Sequence, residues 1–175
     1  MKFKPLETKR LILRPITTED IQDFFELDSN PKVHLFLGNQ PVKTIEESEA
    51  MVANILEQYK TNGLGRLAVV KKHTGEFMGW SGLKYEKNVR KEFNYYDIGY
   101  RLKEQFWGQG YATEAAIASL NYGFKDLQLK HIGAAADINH IASNTILKNI
   151  GMQPSGTFKF EDTLCNWYDI KNPAM

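Results

Sequence analysis

At 175 residues the chain is long enough for one domain with a sizeable core, and two domains would be cramped. A net charge of +1, with 42% apolar and 25% charged residues, is ordinary for a globular protein and gives no reason to expect nucleic acid or a membrane surface as partner. Cys165 is alone, which excludes an intrachain disulfide and makes a reducing, cytoplasmic setting the default. The first ten residues alternate charge with apolar side chains rather than forming a signal peptide, and no apolar run approaches a membrane span.

The alternation from Lys9 to Ile16, closed by Pro15, predicts a strand. Thr17-Thr18-Glu19-Asp20 places a capping threonine before acidic residues and predicts a helix to about Leu27, broken at Asp28-Ser29-Asn30-Pro31. A short helical piece over 31–36 ends at Gly38-Asn39. Thr44 then caps a longer helix whose apolar positions Met51, Ile55, Leu56 and Tyr59 recur at helical spacing until Asn62-Gly63. Strands are expected over 67–70 and 77–85, flanking a Lys72-His73-Thr74-Gly75 turn, and again over 93–102. A helix over 111–125, a strand over 131–138 and a helix over 141–150 follow, with a closing antiparallel pair at 157–160 and 166–170. Strand, helix, strand, helix from 93 to 150 is a crossover unit that sets parallel strands side by side, so the fold class is α/β with a mixed sheet.

The stretch Trp107-Gly108-Gln109-Gly110-Tyr111-Ala112-Thr113-Glu114-Ala115 joins a strand to a helix through two glycines. Amide N–H groups converge at such a place: the first turn of a helix has donors without intrahelical partners, and the helix dipole adds partial positive charge. Glycine removes the Cβ that would hold an anion away. The stretch therefore predicts a phosphate cradle. A dinucleotide fingerprint would need a third glycine where Thr113 stands, and no Gly-Lys-Ser/Thr string is present for a nucleoside-triphosphate loop.

With this loop on a crossover unit, the chain resembles the GNAT superfamily of acetyl-CoA-dependent N-acetyltransferases, and within it the RimJ/RimL-like branch. The resemblance rests on Glu7-Thr8-Lys9-Arg10-Leu11-Ile12-Leu13-Arg14, on Asp97-Ile98-Gly99-Tyr100, on the glycine stretch, and on Ala142-Ser143 leading to Leu147-Lys148-Asn149-Ile150-Gly151-Met152. It implies a single GNAT domain over 1–175, with a mostly antiparallel seven-stranded sheet, a splayed parallel central pair and flanking helices. The family's Gln/Arg-x-x-Gly-x-Gly/Ala pattern fits from Gln105, or from Trp107 with tryptophan replacing the usual polar residue; the second register is preferred because it puts Ala112 in the first helical turn.

What the resemblance implies for the site follows residue by residue. Acetyl-CoA is the co-substrate, its diphosphate on the amides of Gly108, Gln109, Gly110, Tyr111, Ala112 and Thr113, with Trp107 opening the cofactor loop. The pantetheine arm pairs with strand groups at Leu102, in a gap that ends near Leu102 and Asp137. A backbone N–H between Ile98 and Tyr100 meets the thioester carbonyl. Asp97 stands where relatives often carry glutamate and is the candidate base, through a water because it is one methylene shorter; the competing reading is a solvent-facing strand acid. Ser143 is the candidate acid, with helix capping as the competing role, and Tyr100 is a further candidate. Asn144 is expected at the pantetheine, and His140 aligns with an asparagine of the family. The Asp28 to Leu37 region matches the acceptor wall, while Glu114 is expected to serve helix-start electrostatics.

The acceptor is a primary amine, either a protein N-terminus such as a ribosomal protein's or a small molecule such as an antibiotic, amino acid or polyamine. A CoA sensor without turnover stays open beside these readings. His34, His73, His131 and His140 lack the spacing and support of a metal site, so no metal is expected. The expected assembly is a monomer or homodimer.

Overall fold

A computed structural model describes residues 4–174; residues 1–3, the front of the segment read as no signal peptide, and residue 175 lie outside it. The capping sequences start helices where expected. Asp20 accepts the Thr17 amide at 2.8 Å and the Arg14 guanidinium at 2.7 Å, so the acid that begins α1 (Ile21–Asp28) also ties it to the preceding strand. Glu47 takes the Thr44 amide at 3.1 Å at the start of α3 (Ile45–Asn62), which ends at a left-handed Gly63. Between them α2 is short, Pro31–His34, and turns rather than helix carry the chain on to Asn39.

The strands are β1 (Leu6–Glu7), β2 (Leu11–Pro15), β3 (Arg66–Lys71), β4 (Phe77–Glu86), β5 (Tyr95–Leu102), β6 (His131–Asp137), β7 (Gln153–Phe160) and β8 (Thr163–Lys171). Among the described residues they form one eight-stranded sheet in the order β1-β2-β3-β4-β5-β6-β8-β7, in which only β5 and β6 run parallel. The eighth strand beyond the expected seven is β1, two residues that exist as a strand only because Leu6 and Glu7 pair with Leu13 and Ile12. The crossover between β5 and β6 is α4 (Tyr111–Lys125), and α5 (Ile141–Asn149) follows β6.

Two apolar layers cover the sheet. On one face α4 and α5 bury Leu83, Ile98, Leu120, Ile132, Leu147 and Tyr168, continued toward β2 by Leu11, Leu13, Val69 and Met78. On the other, α1 and α3 bury Phe24, Leu27, Val52 and Ile55 against Ala68, Val70 and Phe77. Among the described residues no helix is long and apolar enough to cross a membrane.

What positions the site is a local failure of pairing. β5 pairs with β4 along its whole length, from Glu86↔Tyr95 to Gly79↔Leu102. β6 pairs with β8 throughout, from His131↔Lys171 to Asp137↔Cys165. Between β5 and β6 the single register pair is Asp97↔Gly133. Each central strand follows its antiparallel partner, and the twist of the sheet carries them apart beyond that point.

Candidate active site

The glycine stretch lies at the C-terminal end of β5. A turn of 3-10 helix, Glu104–Phe106, leads to Gly108 at φ 70° and Gly110 at φ 79°, both left-handed, and Gly110 is the N-cap of α4. A Cβ at either position would be strained whatever the space around it, which is why glycine stands there. No backbone amide from residue 108 to residue 113 has a partner among the described residues; the first helical donor to find one is Glu114, on the Gly110 carbonyl at 3.1 Å. Residues 107–110 are exposed. A run of unpaired donors at a helix start, with glycine at both left-handed positions, fits a polyphosphate.

The gap between β5 and β6 has its own free groups. Peptide groups along a strand alternate sides. The Lys103 amide reaches the Met78 carbonyl of β4, so those of Leu102 and Tyr100 face away from β4 and into the gap. The Leu102 carbonyl is taken, however: the Trp107 indole donates to it at 2.7 Å. The expected pairing at Leu102 is therefore reduced to its N–H, and the backbone group left intact in the gap is that of Tyr100. Trp107 itself stays 45% exposed, held beside the loop by that bond.

Ser143 lies in the first turn of α5, and the Tyr100 hydroxyl sits 3.1 Å from both its carbonyl and its Oγ. The hydroxyl pair thus spans the gap from β5 to α5. Burial pushes the Tyr100 phenol above its ordinary value, partly offset by Ser143, so it stays protonated. Asn144, expected at the pantetheine, is otherwise engaged. Its amide donates to the carbonyls of Asp137 at 2.8 Å and His140 at 2.9 Å, and its oxygen accepts from Asn166 at 2.7 Å and Tyr168 at 2.8 Å. All four of its hydrogen-bonding valences are used to fix the β6–α5 turn. His140 stacks on Phe36, with centroids 4.4 Å apart and planes at 15°, which brings the segment after α2 onto the β6–α5 turn. Burial lowers the imidazole pKa, against a smaller pull upward from Asp137.

On the α1–α3 face of the sheet, Asp97 is not solvent-facing. Its side chain is 14% exposed and its Oδ2 accepts a short hydrogen bond from Arg66, while Arg66 also holds the Asp97 carbonyl at 3.0 Å. Oδ1 has no partner among the described residues. Burial raises the Asp97 pKa and Arg66 opposes the rise. Arg66 and Arg101 both lie over the Trp80 ring, at 5.2 and 5.1 Å. Arg101 pairs with the wholly buried Asp28, which also meets His34 at 3.2 Å. Arg66, Arg101, Phe36 and Asp28 as an ion-pair partner were all missed from the sequence. The segment Arg66-Leu67-Ala68-Val69-Val70 reads simply as a strand, and nothing in it signals a charge turned inward.

Thus the structure brings together Tyr100, Leu102, the glycine stretch, Ser143 and His140 around one gap, sets Asp97 on the opposite face of β5, and withdraws Asn144. A cavity of about 1140 Å³ lies elsewhere, between the N-terminal segment and α4, lined by Leu6, Tyr59, Leu64 and Ile117. Among the described residues no group of three or more His, Cys, Asp or Glu is arranged to hold a metal.

Residues 10–153 match the family model described as acetyltransferase (GNAT) domain. YoaA, an uncharacterised N-acetyltransferase of Bacillus subtilis, is 32% identical over 159 residues, covering 90% of this chain and 87% of its own. FsC-acetyl coenzyme A-N(2)-transacetylase of Aspergillus fumigatus is 31% identical over 183 residues, covering 100% of this chain and 74% of its own. Among solved structures, RimL, a ribosomal L7/L12 alpha-N-protein acetyltransferase in complex with coenzyme A, superposes with a TM-score of 0.81 over 98% of this chain and 100% of its own, at 17% identity, a likeness of fold. The chain belongs to the GNAT family and is an acetyl-CoA-dependent N-acetyltransferase.

Proposed function

We propose that this enzyme acetylates a primary amine by direct attack within a ternary complex, and that the amine is the α-amine of a protein N-terminus. The observation that carries the cofactor half is the run of unpartnered amides over residues 108–113 beside a gap in the sheet. In the register that begins at Trp107, Gly110 is the N-cap and Ala112 stands in the first helical turn, and both would hold the diphosphate with their neighbours. When bound, acetyl-CoA supplies an acetyl group activated as a thioester. The Tyr100 N–H, facing the gap one alternation past the last paired residue, is the donor for a carbonyl oxygen that gains negative charge.

An amine attacks only when neutral. An α-amine has a reference pKa near 7.8 and lysine near 10.4, so holding lysine neutral costs roughly 3.5 kcal/mol more. A modest base therefore serves an α-amine. Asp97 fills that role through its unpartnered Oδ1 and a relaying water, its pKa moved upward by burial toward the useful range. Ser143 Oγ–H is the proton donor for the departing thiolate, in hydrogen-bond contact with the Tyr100 hydroxyl. The single buried cysteine suits a cytoplasmic enzyme.

A second reading has its own support. The Aspergillus relative, named as a transacetylase of FsC, matches this chain at nearly twice the identity of the ribosomal-protein enzyme, which favours a small-molecule amine. Both readings are tested by following thiol release from acetyl-CoA with a panel of amines that includes peptides beginning with Ala or Ser, polyamines and amino acids. Turnover with peptides supports the first reading and turnover confined to small amines replaces it with the second. Calorimetric CoA binding without turnover on any amine leaves a sensor, and absence of CoA binding refutes the loop assignment.

A further inference from the structure

Arg10 belongs to no part of the chemistry described so far, yet its side chain reaches the glycine loop from the turn between β1 and β2. Its Nε–H donates to Glu114 Oε2 at 2.6 Å, and its backbone N–H donates to Glu114 Oε1 at 2.9 Å. Thr8 Oγ1 adds a third bond to the same carboxylate at 2.6 Å. Glu114 is in the first turn of α4, so its role exceeds helix-start electrostatics: it clamps the β1–β2 turn to the helix that opens the loop. From this clamp the guanidinium lies over the Tyr111 ring, with Cζ 4.1 Å from the centroid, and its Nη1–H donates to the Gln109 carbonyl at 2.9 Å. Its Nη2 has no partner among the described residues and lies 3.5 Å from where a Gly110 Cβ would stand.

The bond to Gln109 has a directional consequence. In a trans peptide the C=O of one residue and the N–H of the next point in opposite directions. Anchoring the Gln109 carbonyl toward Arg10 therefore turns the Gly110 N–H away from it. Gly110, with no Cβ to resist, is a peptide that flips easily when nothing holds it. We propose that Arg10 is a positioning residue for the cofactor site: held by Glu114, it locks the Gln109–Gly110 peptide in the orientation that keeps the Gly110 amide in the run of free donors. The inference rests on the reading that this loop holds the CoA diphosphate. A preorganised donor array costs no reorientation when an anion arrives, whereas a freely flipping one does.

The test is calorimetric titration of CoA into the wild type, Arg10→Lys, Arg10→Ala and Glu114→Gln. Lysine keeps the charge but cannot bond Glu114 and the Gln109 carbonyl together as the planar fork does. Glu114→Gln keeps an acceptor for Thr8 while releasing the guanidinium, so it serves if an Arg10 variant fails to fold. Each folded variant is expected to bind CoA about tenfold more weakly, which is about 1.4 kcal/mol, with the acetyl-CoA KM rising and kcat little changed. Dephospho-CoA, which keeps the diphosphate, is expected to show the same loss. Affinity within about twofold of wild type for folded Arg10→Lys or Glu114→Gln overturns the proposal, as does a loss seen with CoA but not with dephospho-CoA. If the wild type binds no CoA, the loop assignment fails instead.

Discussion

The two faces of β5 solve opposite problems. Toward the glycine loop, backbone donors are left without partners and open to solvent, so the site offers generic polar groups waiting for an anion. Toward α1 and α3, side-chain charges have already found each other: Asp97 with Arg66, and Asp28 with Arg101, with Trp80 between the two guanidinium groups. The first arrangement suits a co-substrate shared across a family, because its donors are backbone amides and only the two left-handed positions demand a particular residue, glycine. The second is built from particular side chains, so it depends on residue identity in a way the first does not.

The largest test of this contrast strikes the generic side. Gly110→Glu puts a strained side chain and a carboxylate at a left-handed N-cap, and is expected to weaken CoA binding by a thousandfold or more, about 4 kcal/mol. Calorimetry that shows unchanged affinity removes the loop as the diphosphate site. Next comes the particular side. Arg66→Ala strands a buried carboxylate and is expected to cost about 3 kcal/mol in denaturant unfolding, the low end for a buried pair because both side chains keep some exposure, at 11% and 14%. The double variant with Asp97→Asn should recover much of that loss; no recovery breaks the account of the pair.

Ser143→Ala is expected to lower kcat by about tenfold, or 1.4 kcal/mol, while leaving the CoA dissociation constant nearly unaltered. An unaltered rate leaves Ser143 only its place at the start of α5. Asp97→Asn is expected to remove the acidic limb of the rate profile. Because burial raises the Asp97 pKa, that limb should lie above the ordinary carboxylate value of about 3.9; a limb that persists in the variant assigns it to another group.

The smallest effect is at His140. Burial lowers its folded-state pKa, so the unfolded chain takes up the proton first as pH falls through about 6.5. The stability it contributes is thus present above that value and lost as pH falls toward the lower folded-state value. Thermal midpoints of wild type and His140→Phe, followed across this window, should converge on the alkaline side and diverge on the acidic side. Parallel curves exclude the imidazole as the titrating group.

Much of this protein was legible in its sequence, because the signals are local. The capping acids at Asp20 and Glu47, the helix bounds at Tyr111 and Lys125, and the two glycines at the start of α4 depend on residues within one turn of each other. The glycine loop was readable for the same reason: its chemistry is that of the backbone, and glycine announces where the backbone must be bare. Tertiary structure alone decided the rest. β1 becomes a strand only beside β2, and Arg66 meets Asp97 only once β3, β4 and β5 are in register. The Leu102 carbonyl is filled by an indole from the loop, and Asn144 spends its amide on its own turn rather than on the cofactor. Arg66 and Asp97 are far apart in the chain and meet through strand register, whereas Trp107 and Asn144 find partners within a few residues; there the path of the folded backbone, not residue type, decides which carbonyl each side chain reaches.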